Sequence, residues 1–154
     1  MNLNDYRRTI LMLSSCFGFA LLTACSGQQV ELLAQQLSPC PAAPHCVTSE
    51  TSQSASAYVA PIAMNGLSAG AAKVVLRRAI LEMGGEIQTE TDQLLIARFS
   101  SKLFGFKDDL QCRTDTQAQV IHVRSASRLG YYDFGVNRRR VEALRQAFAA
   151  LRDS

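Results

Sequence analysis

Tryptophan is absent from this chain, and aromatic residues make up only 7% of it. Histidine occurs twice, at His45 and His122, and no zinc-protease or nucleophile-elbow pattern surrounds either one. Charge of one sign is also scarce. Sixteen Lys and Arg face thirteen Asp and Glu, a formal surplus of +3. That balance carries no nucleic-acid footprint, and no nucleic acid is expected as a partner. No internal repeat is visible. The one long apolar run, "TILMLSSCFGFALL", is too short and poorly flanked for a stable membrane span. What the chain does have is 47% hydrophobic residues in 154 positions, enough for one domain with a core and a short additional segment.

The apolar run follows Arg7 and Arg8 and ends in "LLTAC". A basic start, an apolar stretch and small residues before a cysteine resemble the signal peptide and lipobox of bacterial lipoproteins. The resemblance implies cleavage after residue 24 and lipidation of Cys25, with palmitate as a diagnostic acyl chain. An uncleaved signal anchor is the alternative. Each buried methylene contributes about 0.8 kcal/mol and stable attachment needs more than one chain, so a tri-acylated Cys25 would hold firmly. Ser26, rather than Asp, follows the cysteine, as in lipoproteins sorted to the outer membrane of a Gram-negative envelope. The expected location is therefore the cell envelope, on the outer membrane facing the periplasm.

Three divisions follow from composition: a signal peptide over 1–24, a lipidated tether over 25–57, and a folded domain over 58–154. The tether is mostly small and polar, and "TSETSQSASA" cannot bury much surface. Within it, Cys40 and Cys46 bracket a segment stiffened by Pro41 and Pro44. Outside the cytoplasm such a pair can close a disulfide. Free thiols or pairing with Cys112, and a metal site of Cys40, His45 and Cys46, are the alternatives. Adjacent His and Cys fit structural zinc spacing poorly, and no second ligand pair is present, so no metal or cofactor is expected.

In the domain, Ser68 is a candidate N-cap for a helix with Ala72, Val75, Leu76, Ala79, Ile80 and Met83 on one stripe, stopped by Gly84 and Gly85. "GEIQTE" and "LLIARFSS" read as paired strands, "FGFKDDLQCR" as a third and "AQVIHVRSAS" as a fourth. A last helix starts near Arg138, with Val141, Leu144, Phe148 and Leu151 on one face and Asn137 as its N-cap. The expected fold is α+β: a two-layer sandwich, with a largely antiparallel sheet of about four strands covered by two helices.

Three segments, "CPAAPHCV", "FGFKDDLQCR" and "VRSASRLGYYDFGVNRRR", together resemble the domain-of-unknown-function family 1499. Cys40, Pro41, Pro44, Cys46, Val47 and Ser49 meet its first motif. His45 stands where that motif usually has Asn, and Thr48 where it usually has Ser. Phe106, Asp108 and Asp109 meet the second. Arg124, Ser125, Ser127, Arg128, Gly130, Asp133, Gly135, Asn137, Arg138 and Arg140 meet the third. The resemblance implies an envelope protein and names no reaction.

The third segment poses a chemical problem. Arg138, Arg139 and Arg140 would stand at the positive end of a helix dipole, which disfavours each by a few tenths of a kcal/mol. One reading is an anion site, with Gly130 and Gly135 turning the backbone and the helix N-terminus and arginines holding an anionic lipid or glycan. The other is an internal network in which Asp108, Asp109 and Asp133 satisfy the arginines. The acids are present in the chain, so the network is expected, with Asp108 reaching Arg124 or Arg128. A catalytic role would fall to His122 and a nearby serine, Ser125 or Ser127; none is assigned. The reading overall is a lipid-anchored, non-catalytic binding or assembly module, with a membrane, an envelope protein or an anionic glycan or lipid as partner.

Overall fold

In a computed structural model of the protein, residues 36–50, 54–101 and 105–154 are described. The signal peptide read over 1–24, Cys25 and the first part of the tether lie outside them. No helix among the described residues is long and apolar enough to cross a membrane.

One sheet of six strands forms the scaffold, in the order β1, β6, β5, β4, β3. The strands are β1 (Cys46–Thr48), β2 (Ile62–Ala63), β3 (Glu86–Glu90), β4 (Leu94–Ser100), β5 (Lys107–Asp115) and β6 (Val120–Ser127). Two helices, α1 (Ala69–Glu82) and α2 (Val136–Arg152), pack on the sheet. Every strand pairing is antiparallel. The α+β class holds, but the sheet has six strands rather than about four. The two additional strands, β1 and β2, are three and two residues long. Such pieces are too short for a period of two to show, and they succeed one another along the free edge of β6. Cys46–Thr48, inside the segment read from composition as tether, is therefore part of the sheet.

Alternation on the long strands produces the core. Leu95, Ala97 and Phe99 on β4, Leu110 and Cys112 on β5, and Ile121 and Val123 on β6 point toward the helices. The helices answer with Ala72, Leu76, Ala79 and Ile80 from α1, and Val141, Leu144 and Phe148 from α2. Burying each large side chain contributes about 1.5–3 kcal/mol. Ser68 caps α1, its hydroxyl accepting from the Ala71 N–H at 3.2 Å. Gly84 ends that helix at φ +82°, and Gly85 has no room for a side chain: a Cβ there would lie 2.7 Å from both Ile80 and Phe99.

The start of α2 departs from expectation. Gly135, at φ 75°, is the N-cap, and Asn137 lies inside the first turn, fully buried. Capping is done by Asp133. One carboxylate oxygen accepts from the Gly135 N–H and the other from the Asn137 N–H, each at 2.9 Å. A carboxylate suits the positive end of the helix dipole better than a neutral amide does. Asn137 is thereby released for burial.

Candidate functional site: a buried polar network at one end of the sheet

β5 begins and β6 ends at the same end of the sheet, with Asp108 opposite Ser127. The Cys40–Cys46 segment and the loop leading into α2 meet there, so all three sequence segments converge. Cys40 and Cys46 are joined, with S–S 2.07 Å and Cα–Cα 5.6 Å. Cys112 is the free cysteine among the described residues; burial on β5 pushes its thiol pKa well above the usual range.

Asn137 is the hub. Its amide nitrogen faces Asp133 at 2.8 Å, the Ser127 hydroxyl at 3.0 Å and the His45 carbonyl at 3.0 Å. Its amide oxygen accepts from the Ser125 hydroxyl at 2.6 Å and from Arg140 at 2.7 Å. His45 closes the circuit on the disulfide side. Its carbonyl accepts from the Ser127 N–H at 3.0 Å, and its Nδ1 lies 2.9 Å from the Ser127 carbonyl, which requires the proton on Nδ1. In this chain the usual Asn of the first motif is His45, and a ring N–H supplies a donor an amide could also supply.

The arginines divide by sheet face. Asp108 lies on the helix-covered face with Leu110 and Cys112, and its partner is Arg140 of α2, at 2.5 Å. Arg124 and Arg128 were the expected partners, and neither pairs with Asp108. Arg124 alternates onto the opposite face of β6, level with Gln111. Arg128 forms two parallel bonds to Asp109, at 2.7 and 2.8 Å, on that same opposite face. Arg140 also donates to the Ser125 hydroxyl and stands over the Phe99 ring, 4.8 Å from its centroid. Arg138 donates to the carbonyls of Ser56 and Tyr58, and Arg139 to the carbonyl of Phe134.

Asp133 therefore neutralises none of the arginines through an ion pair; it caps the helix. Burial opposes its ionisation, but donors from Asn137 and Gly135 together outweigh this and hold its carboxyl below the usual carboxylate range. Gly130, at φ +96°, and Gly135 turn the backbone between β6 and α2 as expected. Arg124 is the exception among the third motif's arginines. Its buried Nε has no hydrogen-bond partner, and desolvation lowers its pKa, with Asp109 partly opposing.

His122 stands apart, at the other end of β6. Its Nδ1 is 3.3 Å from the hydroxyl of Ser49, a serine that sequence reasoning passed over in favour of Ser125 and Ser127. Both of those lie in the network around Asn137. The ending of the first motif, in which Ser49 matches, was the available signal. A cleft of about 530 Å³ is lined by Ser49, Glu50, Arg113 and His122 with the chain around Leu37. Asp115 is 3.8 Å from Nε2, beyond hydrogen-bond reach. Ser49 serves the sheet: its hydroxyl accepts from the Val123 N–H at 2.8 Å, while its own N–H donates to the Val123 carbonyl at 2.9 Å. Among the described residues no group of three or more His, Cys, Asp or Glu could hold a metal ion.

Comparison with known proteins places residues 36–148 on the family described as "Protein of unknown function (DUF1499)". The chain belongs to this family. No curated protein and no solved structure matches it. The matched span covers the disulfide segment, the sheet, α1 and most of α2. The motif residues of this DUF1499 chain are thus mostly spent on each other, tying the first and last parts of the matched span together.

Proposed function

We propose that this chain is a lipid-anchored cell-envelope protein whose domain is a non-catalytic binding or assembly module, held at the periplasmic side of the outer membrane. The anchor reading rests on "LLTAC" after a basic and apolar start, with Cys25 as the acylated residue. The observation that carries the non-catalytic reading is the engagement of Asp108, Ser125, Ser127, Asp133, Asn137 and Arg140 with one another. Groups locked in mutual hydrogen bonds are poor candidates for proton transfer or nucleophilic attack, and well suited to holding a surface rigid. The Cys40–Cys46 pair agrees with an oxidising compartment.

Growth with labelled palmitate tests the anchor: label is expected on wild type and lost in Cys25→Ser. Crosslinking in intact cells tests the module and is expected to capture an envelope protein, glycan or lipid. An unprocessed, unlabelled wild-type chain overturns the anchor. One observation favours a second reading, a small hydrolase. The Ser49 hydroxyl and His122 ring adjoin each other in a cleft wide enough for a small substrate.

A further inference from the structure

The loop between β6 and α2 carries an unusual outer surface. Leu129, Tyr131 and Phe134 are 71%, 76% and 78% exposed, and Tyr132 stacks edge-on against Phe134 at 5.1 Å. Phe106 and Lys107, at the start of β5, are exposed at the same end of the sheet. Most of the exposed large hydrophobic side chains of the described residues thus gather at one end. Scattered exposed apolar residues need no explanation, but a cluster of this kind does.

This surface is held in place. Phe134, a non-glycine residue, adopts φ 53°, and Gly135 follows at φ 75°. A left-handed phenylalanine is unfavourable and persists only where its surroundings impose it. Here they are the two carboxylate oxygens of Asp133, the buried Asn137 and the bond from Arg139 to the Phe134 carbonyl. The loop is therefore pre-organised, and docking would order little that is not already ordered.

Charge narrows the occupant. The three carboxylates at this end, Asp108, Asp109 and Asp133, are each held by donors of the chain itself. Lys107, Arg138 and Arg139 lie exposed at this end of the sheet with their hydrogen bonds on a neutral hydroxyl and carbonyls, so their charges are not cancelled as that of Arg128 is by Asp109. Basic groups framing tyrosine, phenylalanine and leucine match the boundary of an anionic bilayer, where amphipathic rings sit at headgroup level. Side chains as exposed as Leu129, Tyr131 and Phe134 give a partner protein few walls to pack against. A fluid headgroup boundary needs none.

We propose that the loop Leu129–Phe134 is a membrane-interface element, which seats its rings among the headgroups of an anionic phospholipid bilayer while the surrounding basic side chains meet lipid phosphates. It rests on the membrane-proximal reading above for the nearness of a bilayer, and it names the surface that faces it.

The absence of tryptophan makes the test direct. Tyr131→Trp, Phe134→Trp and, as a control on the outer surface of α1, Val74→Trp are each made in the full chain. Each is reconstituted into vesicles of phosphatidylglycerol and phosphatidylethanolamine with brominated acyl chains. A ring seated about 5–10 Å below the headgroup boundary is expected to emit to the blue and lose roughly half its intensity at positions 131 and 134. Position 74 is expected to be unquenched. Replacing phosphatidylglycerol by a neutral lipid is expected to reduce the quenching. Unquenched emission at 131 and 134, or equal quenching at 74, overturns the proposal. So does protection of both positions by an envelope protein in the absence of lipid quenching. Mass analysis of Cys25 in the same samples separates the two claims. An acylated chain with unquenched rings defeats the loop alone, and quenched rings on an unacylated chain defeat the anchor alone.

Discussion

Arg140 reaches from the first turns of α2 to Asp108 on β5, 32 residues earlier, and the two side chains are only 11% and 10% exposed. That pair explains why a helix can begin with three arginines. The charge of Arg140 is met by a buried carboxylate, while Arg138 and Arg139 stay at the surface in solvent, each oriented by carbonyls of neighbouring loops. Losing one side of a buried pair leaves the other charge uncompensated and costs about 3–5 kcal/mol. Asp108→Asn and Arg140→Ala are each expected to lower the unfolding free energy measured by denaturant titration by that much, with a double mutant well short of the sum. Arg128→Ala breaks a solvent-exposed pair and is expected to change stability far less than Arg140→Ala. Equal losses for Arg128→Ala and Arg140→Ala would contradict this division.

Asp133 gives the network a pH dependence. Its folded carboxyl lies below the unfolded value of 3.8, so its contribution is fully present above that value and is lost as pH falls through the folded pKa. Asp133→Ala is expected to cost about 1–2 kcal/mol at pH 7, the worth of a strong cap. Wild type and variant should converge on acidification below about pH 4. Urea titrations at stepped pH measure this, and a gap that stays constant down to pH 2 would remove Asp133 from its capping role.

The periodic parts of the fold were legible because their residues repeat. α1, its Ser68 cap, the four longer strands and the Val141, Leu144 and Phe148 stripe all come from patterns spanning several turns or pleats. The short strand β1 was not, since three residues hold no period. The candidate site was legible as a set of residues but not as a set of partners. Strand alternation puts Asp108 on the same face as Leu110 and Cys112, yet its partner depends on how α2 crosses the sheet, which no local pattern records. Asn137 and Asp133 exchanged roles for a similar reason. A capping preference ranks residue types, whereas burial of Asn137 depends on His45, 92 residues away.

The disulfide and the network share His45. Closing a ring of six-residue separation contributes about 2 kcal/mol by loop-closure entropy. Replacing Cys40 and Cys46 by Ser is expected to cost about that much. The local effect should be sharper. The Ser127 N–H donates to the His45 carbonyl, so its hydrogen exchange should quicken in the variant, while the Val123 N–H, held by Ser49, keeps its protection. Equal acceleration at both amides would mean that the ring stabilises the domain only globally.

Ser49 and His122 separate the binding reading from the hydrolase reading. If Ser49 is a splice in the sheet, Ser49→Ala strands the buried Val123 N–H and costs about 1–3 kcal/mol. His122→Ala removes a partly exposed ring whose contact to Ser49 is long, and is expected to change stability by under about 1 kcal/mol. A fluorophosphonate probe supplies the chemical readout, because it labels a serine only when a base activates the hydroxyl. On the splice reading wild type takes no label, since the Ser49 oxygen already accepts from the backbone and Asp115 is too distant to orient the ring. Labelling of Ser49 that disappears in His122→Ala, with melting unchanged, would instead assign the cleft to hydrolysis and leave the network at the far end of β6 as its scaffold.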